Sequence, residues 1–459
     1  MLKEYHIGID DTDSHEGMCT TYLATLIVDS LENHGVEFLD FPKLVRLNPN
    51  IPYKTRGNGA VSISFISTTH KIEEIWKECI NLVKIHSDIK AENTDPGIVL
   101  QIGKPDPRTK KVYYEALYTV ISLKSMQHIL NNNFQGLYYS IKEGRGLIGA
   151  CAAIGANLYS DYTYEFIAYR DPSIKTSKRM IDEKSVIEAD QSNPLSFGNY
   201  DYVHNQLMIT PHGPDPVYVG IRGETAKSVI QMWNEIKILE NITTVMLFRS
   251  NQHTQPHFPK EFTGKDIKPY YSVKVRGVVD STPHLITGGH VIVSIVSNGK
   301  TVNCAAYEPT KKFRKHVREL IAGDELMVYG GVRPASDEYP ITINLEQFEI
   351  IKLQQQIARI PLKCPHCEGA LKSLGQNQGF RCKRCKYQID KKEIGFQFKK
   401  RGLHSGVRYV IPTCAQRHLT KPTSRDDNLQ FHLPSEESFQ EEFHDFLKNR
   451  ENLLKHPLI

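Results

Sequence analysis

The chain has 459 residues, 40% of them hydrophobic and 9% aromatic, enough to bury several cores, and at roughly 150 residues per domain about three domains are expected. A formal net charge of +5 is mildly basic and permits a polyanionic partner without requiring one. Of nine cysteines, four form two CxxC units, while Cys19, Cys79, Cys151, Cys304 and Cys414 follow no framework. That usage argues against a disulfide-stapled secreted scaffold and for a reducing cytoplasm with a metal site. No apolar run reaches the ~18 residues of a membrane span, and no leader-like apolar segment follows Met1.

Tyr5, Ile7 and Ile9 alternate as in a strand, and Leu23, Leu26, Ile27 and Leu31 then follow helical spacing up to a C-cap at His34-Gly35. The acidic cluster Asp10-Asp11-Thr12-Asp13 therefore lies between a strand and a helix. Residues 60–66 alternate again after the turn residues Gly57-Asn58-Gly59, and a Gly/Ala-rich run from Gly144 to Ala156 closes a first region, 1–158. Strands at 163–170 and 243–249 flank a helix at 225–238, so region 159–265 reads as a ferredoxin-like α+β domain. In region 266–355, five strand candidates with one helix at 310–322 between the third and fourth predict an OB-fold β-barrel. Region 356–430 carries the CxxC pairs. In 431–459, Phe439, Phe443, Phe446, Leu447 and Leu454 line one face of an acidic helix. The fold class is thus α+β and multidomain.

Cys364-Pro365-His366-Cys367 and Cys382-Lys383-Arg384-Cys385 are two knuckles separated by 14 residues that include Gly375 and Gly379 for the returning hairpin. Four thiolates at this spacing close tetrahedrally on zinc and leave no open position, so a structural zinc ribbon is expected. Lys383, Arg384 and Lys399-Lys400-Arg401 surround it, and the barrel helix carries Lys311, Lys312, Arg314, Lys315 and Arg318. Such clusters fit a nucleic-acid backbone, with a solvated basic face as the bland alternative.

Three carboxylates within four residues, Asp10, Asp11 and Asp13, are costly to ionise together unless a cation such as Mg2+ compensates them. The helix that begins near Gly17-Met18-Cys19-Thr20 offers free N–H groups and the positive end of its dipole to a phosphate, and Thr20 or Thr21 either caps that helix or accepts a phosphoryl group. Lys54 and Arg56 stand two apart beside Gly57-Asn58-Gly59, a pairing suited to a polyphosphate or to an ordinary exposed hairpin. Gly144-Arg145-Gly146-Leu147-Ile148-Gly149 matches GxGxxG formally, yet the preceding residues make a poor buried strand for a dinucleotide-binding unit. Close packing of a loop or helix near a nucleotide is the stronger reading of Gly144 and Gly146.

The segments at 8–23 (GIDDTDSHEGMCTTYL), 46–61 (RLNPNIPYKTRGNGAV), 144–156 (GRGLIGACAAIGA), 211–223 (PHGPDPVYVGIRG) and 249–257 (RSNQHTQPH) resemble the archaeal 2-agmatinylcytidine synthetase family. The resemblance spans the chain up to about residue 430. It implies an ATP-dependent ligase that joins agmatine to the wobble cytidine of the AUA-decoding isoleucine tRNA, releasing AMP and two phosphates. It also implies a kinase-like, ATP-binding first domain that phosphorylates its own threonine at the position of Thr20, with Asp10, Asp11 and Asp13 for Mg2+ and catalysis. Lys54, Arg56 and Asn58 then serve the phosphates, and the OB-fold and ribbon bind tRNA. The agmatine guanidinium needs carboxylates, for which Glu165, Asp201 and Asp215 are candidates. Two other readings stay open: an ATP-using enzyme on a different RNA, and a non-catalytic OB/zinc-ribbon nucleic-acid-binding protein.

Overall fold

The alternation of Tyr5, Ile7 and Ile9 becomes a strand, Leu2–Asp10, that lies inside a nine-stranded sheet. The computed structural model describes residues 1–132, 134–354, 363–390, 401–426 and 436–454. Lys399 and Lys400, and the region boundaries drawn at 355/356 and 430/431, fall outside them. The helices Thr20–Asn33 and Ile72–His86 cover the sheet face formed by Ile7, Ile9, Ile63, Phe65 and Leu100. The other face, with Val45, Ala60 and Val99, packs against the helices Pro107–Ala116 and Gly146–Gly155. Gly8 makes that second contact possible, because a Cβ there would stand 2.1 Å from the carbonyl oxygen of Ala150. The Gly/Ala run is therefore a helix pressed against the sheet. The strand before it, Gly136–Ser140, pairs antiparallel with Gly97–Ile102, which is not the parallel unit that a dinucleotide fold needs.

The two regions expected at 1–158 and 159–265 share this sheet. Strands Val217–Gly223, Thr163–Tyr169 and Thr244–Ser250 continue it, joined through a parallel pair that sets Arg249 opposite Lys43 and Ser250 opposite Leu44. The junction is polar and hydrogen-bonded, although Arg249 Nε is buried there without a hydrogen-bond partner among the described residues. The Arg249 guanidinium meets Asp40 Oδ1 at 3.1 Å, Ser250 donates to the Leu44 carbonyl at 2.7 Å, and Asn251 bonds both backbone groups of Arg46. Helices Glu183–Ser192 and Ala226–Glu235 complete the α+β sandwich, the latter opening on a Thr225/Ser228 capping box.

The five expected barrel strands are Ser272–Val279, His290–Ser297, Lys300–Ala306, Glu325–Arg333 and Thr342–Lys352. Val278 opposite Val296 closes one side, and Cys304 opposite Ile343 closes the other. The intervening helix is shorter than expected, Phe313–Arg318 after a 3-10 turn, with Phe313 and Val317 plugging the barrel. The chain then leaves for the ribbon and returns as strand Arg408–Val410 on Thr342–Lys352. The ribbon is thus an excursion from the barrel.

The acidic C-terminal helix, Glu436–Asn449, seals the junction of the shared sheet. Phe443 packs on Phe38 and Phe41 at ring separations of 5.3 and 5.2 Å. Phe439 meets Tyr162 at 5.6 Å and carries the Arg249 guanidinium 3.6 Å from its ring centre. Trp233 Nε1 donates to the Leu453 carbonyl at 2.9 Å. Emptying the Phe443 site should cost ~3–5 kcal/mol, as for buried aromatics generally. Urea unfolding of Phe443→Ala is expected to show that loss, while exposed Lys448→Ala stays within ~0.5 kcal/mol of the parent.

Candidate active site

Asp10 ends its strand and Asp11 turns into the left-handed region, φ +58°, which an Asp tolerates better than a branched residue. The loop that follows is pinned to its neighbours: Thr94 donates to the Asp13 carbonyl at 2.7 Å, and Asp88 N–H donates to the Thr12 carbonyl at 3.2 Å. Asp13 accepts from Arg56 Nε at 2.7 Å and from Thr55 Oγ1 at 3.0 Å. Asp10 and Asp11 are left facing a cavity of about 1140 Å³, larger than the ~300–1,000 Å³ of typical ligand pockets. Burial, then the neighbouring Asp11, pushes the Asp10 carboxyl well above its ordinary range. Burial and then Asp13 push Asp11 up to about 7, against the opposing pull of Arg145.

Helix Thr20–Asn33 starts at this cluster with Cys19 as N-cap and no side chain capping it. Thr20 is the first helical residue rather than the cap, and its hydroxyl is 3.0 Å from that of Thr12. The free helix end, Cys19, Thr20 and Thr21 line the cavity. A fourth carboxylate, Asp95, closes the cluster from below. It accepts from Gly144 N–H at 2.9 Å and from Arg145 N–H at 3.1 Å. Gly146 and Gly149 allow this approach, since a Cβ on Gly149 would lie 1.8 Å from Asp10 Oδ2 and one on Gly146 2.7 Å from the Asp10 carbonyl. These glycines bring a helix start to the acidic strand end. The Arg145 side chain stands 3.9 Å from Asp95 and over the Tyr53 ring at 5.0 Å.

The opposite wall is basic. Glu165 is buried between Arg46 at 3.4 Å and Arg222 at 3.8 Å, and Arg222 Nε and Gln252 Nε2 are buried there without hydrogen-bond partners among the described residues. Burial and then Arg222 hold His253 down at about 3, and burial and then Arg46 hold His418 well below its usual range, so both rings are neutral. Arg417 and His418 arrive from the segment beyond the ribbon, so three stretches of chain distant in sequence build the cavity.

The expected residues divide accordingly. Asp10, Asp11, Asp13, Thr20, Lys54, Arg56, Asn58, Glu165 and Asp215 line one cavity. Within it, Arg56 is committed to Asp13, to Asp215 at 2.6 Å and to the Met18 carbonyl. Asn58 holds its own turn by donating to the Asn48 carbonyl at 2.8 Å. Asp215 is clamped between Arg56 and Arg179. Asp201 is outside the lining, in a hairpin where its carboxylate accepts from the N–H groups of Val203 and His204. Arg46, Arg145, Arg222, Gln252 and His253 line the cavity too; each sits inside a segment that carries the resemblance, with no spacing of its own to mark it. Asp95, Arg417 and His418 had no motif to mark them.

The four ribbon thiols lie within 4.8 Å of one another, with Cys364–Cys385 and Cys367–Cys382 sulfur pairs both at 3.5 Å, close to the edge of a ZnS4 tetrahedron. Backbone N–H groups of Arg384 and Cys385 point at Cys382 Sγ, as thiolate ligands require. His366 packs on Tyr387 instead. Lys383 and Arg384 are exposed, as are Lys311, Lys312, Lys315 and Arg318, whereas Arg314 is tied to Glu308 at 3.2 Å and to the Gly289 carbonyl.

Asp11 has an ordinary value of 3.8 and a folded one of about 7. Between those pH values the folded state holds a proton that the unfolded state has lost, so stability falls as pH rises through that window. Thermal unfolding of the cation-free protein is expected to show this slope. Asp10, also raised, adds to the same slope, so Asp11→Asn should reduce it, and an unchanged slope would remove Asp11 as a source.

Three family models match the chain: the TiaS TCKD domain at residues 6–139, the TiaS FLD domain at 144–257 and the TiaS C-terminal zinc ribbon domain at 361–401. An isoleucine-tRNA 2-agmatinylcytidine synthetase TiaS from Methanocaldococcus jannaschii is 41% identical over 423 residues, 91% of this chain and 97% of the relative. The solved complex of TiaS with its isoleucine tRNA and ATP superposes with a TM-score of 0.78 at 36% identity, over 94% of this chain and 99% of that one. The complex of TiaS with that tRNA, AMPCPP and agmatine does so at 0.77 and 33% identity, with the same coverage. The cavity between an acidic strand end and a basic wall, the barrel and the ribbon thus belong to a chain matched along nearly its whole length, and that chain is a member of the isoleucine-tRNA 2-agmatinylcytidine synthetase family.

Proposed function

We infer that the chain joins agmatine to the wobble cytidine of the AUA-decoding isoleucine tRNA at the expense of ATP, releasing AMP and two phosphates. The observation that carries this is the single cavity that unites Asp10, Asp11, the free helix end at Thr20 and a basic wall, in a chain colinear with relatives of that activity. The C2 carbonyl of cytosine is a poor electrophile. Phosphorylating its oxygen makes a leaving group that the primary amine of agmatine displaces, and catalysis then rests on positioning and charge. The base must leave the anticodon stack to enter.

Asp10 and Asp11 are the carboxylates free to hold Mg2+, which would neutralise phosphate charge, while Asp13 fixes Arg56. Lys54 and Arg145 are the cations turned to the nucleotide, while Gly144 and Gly146 lie outside the cavity lining and serve the packing of the helix start. Thr20, oriented by Thr12, receives the other of the two phosphoryl groups lost between ATP and AMP, and water releases it as the second phosphate. For the agmatine guanidinium, Glu165 is the carboxylate with acceptor capacity to spare, since its contacts to Arg46 and Arg222 are long and those of Asp215 are short and complete. Lys311, Lys312, Lys315 and Arg318 on the barrel and Lys383 and Arg384 on the Zn2+ ribbon face solvent as the tRNA surface. Among the described residues no helix is long and apolar enough to cross a membrane. None of the nine cysteines is in a disulfide, and we place the enzyme in the cytoplasm, where its tRNA is.

Mass analysis of nucleosides from that tRNA, after incubation with enzyme, ATP and agmatine, should reveal 2-agmatinylcytidine. Its absence, with cytidine unchanged, would sink the reading. Asp11→Ala should lower ATP cleavage by ~10²-fold or more while tRNA affinity stays within about twofold. Glu165→Gln, having lost a charge-assisted bond, should raise the KM for agmatine ~10–100-fold and leave the KM for ATP alone.

A further inference from the structure

Outside the catalytic cavity and the ribbon, one cluster of unlike donors stands out. The hairpin Tyr200–Asp201/Gln206–Leu207 brings Asp201 and His204 into one tight turn. The 3-10 turn Thr413–Ala415, more than two hundred residues on, sets Cys414 against them. Asp201 Oδ2 is 3.0 Å from His204 Nδ1, Cys414 Sγ is 3.5 Å from the same nitrogen, and one ligand atom from each residue lies within 4.8 Å of the others. We propose that Asp201, His204 and Cys414 form a second metal site, for a zinc-class divalent cation, distinct from the four-cysteine ribbon.

The 3.5 Å between Cys414 Sγ and His204 Nδ1 is a coordination spacing, and the 3.0 Å between Asp201 Oδ2 and His204 Nδ1 falls a few tenths of an ångström short of one. Around Zn2+, with bonds of ~2.0–2.3 Å, neighbouring ligand atoms of a tetrahedron stand ~3.3–3.8 Å apart. A mixed imidazole, carboxylate and thiolate set is a zinc set, too soft for Mg2+ or Ca2+. The sequence arrangement also fits: two ligands in a short turn, Asp201-Tyr202-Val203-His204, and the third from afar.

The donors of the cluster converge on one carboxylate. Asp201 Oδ1 accepts the N–H groups of Val203 and His204 at 3.0 and 3.1 Å, and Oδ2 already accepts the Cys414 N–H at 3.0 Å. If Nδ1 carries a proton, it donates to Oδ2 and the thiol must find room on the same carboxylate. If Nδ1 is bare, its lone pair faces that of Oδ2. A divalent ion would take Oδ2, Nδ1 and Sγ together in place of those protons and neutralise the carboxylate and thiolate at once. The other non-ribbon cysteines offer no such set among the described residues: Cys79, Cys151 and Cys304 are packed among apolar side chains, and Cys19 lines the catalytic cavity. Cys414 is followed closely by Gln416, Arg417, His418 and Leu419, which line that cavity too. The ion would staple that wall to the ferredoxin-like lobe, with the fourth coordination position left to water.

Metal counting on the full chain tests this. After incubation with excess zinc and desalting, the parent should hold about two equivalents, against about one if the ribbon alone binds metal. His204→Ala and Cys414→Ser should each hold about one, and graded chelator should strip zinc from the parent in two phases, the three-ligand site first. One equivalent or fewer in the parent, or two retained in both variants, overturns the proposal. Should a variant fail to fold, the parent's stoichiometry and its chelation phases still decide. Cobalt gives an independent readout: the parent spectrum minus that of Cys414→Ser should be a single-thiolate spectrum, and a null difference counts against the site.

Discussion

Everything in the catalytic half of the molecule depends on gathering carboxylates at the end of one strand and removing water from around them. Asp10, Asp11 and Asp13 leave the sheet in succession, and Asp95 joins them from the loop before Gly97–Ile102. A group of like charges in a desolvated place is unstable unless something positive is supplied. The fold supplies Arg56 to Asp13, Arg145 towards Asp11 and Asp95, and backbone N–H groups from a helix start to Asp95. What remains uncompensated is the pair Asp10 and Asp11, whose raised proton affinities register a demand for positive charge. On the proposed reading a cation would meet that demand, beside the free N–H groups of a second helix that suit a phosphate.

The same constraint explains the glycines. Gly8 admits the Gly146–Gly155 helix to the sheet, while Gly146 and Gly149 admit the acidic strand end to the helix. A side chain at any of them meets backbone or a carboxylate rather than a yielding side chain. The packing is dictated by the chemistry it must hold.

Charge is also used to lock the lobes together. Arg56 bridges Asp13 in the first lobe and Asp215 in the second, and Arg249 bridges the sheet junction beneath the C-terminal helix. Arg425, beyond the ribbon, pairs with Glu224 at 2.6 Å and Asp161 at 3.0 Å. Buried pairs of this kind specify one arrangement more than they add stability. They make the cavity a product of the assembled protein, with walls from the kinase-like region, the ferredoxin-like region and the returning segment.

The sequence by itself determined the elements and the chemistry that depends on local spacing. Alternation in Tyr5-Ile7-Ile9, the barrel strands, the helix starting at Thr20 and the CxxC knuckles were all legible, because two-residue, helical and ligand-loop periods are set by nearby residues. It also placed Asp10, Asp11 and Thr20 at one strand-helix turn. Only the tertiary structure decided that regions 1–158 and 159–265 share a sheet, since strand pairing between Arg249 and Lys43 leaves no local signature. The same holds for Arg417 and His418 reaching the cavity, for Asp95 bracing the acidic cluster behind it, and for Arg56 and Asp215 consuming each other's charge. Spacing tells which residues share a turn, but which charges are already neutralised depends on partners brought together from hundreds of residues apart.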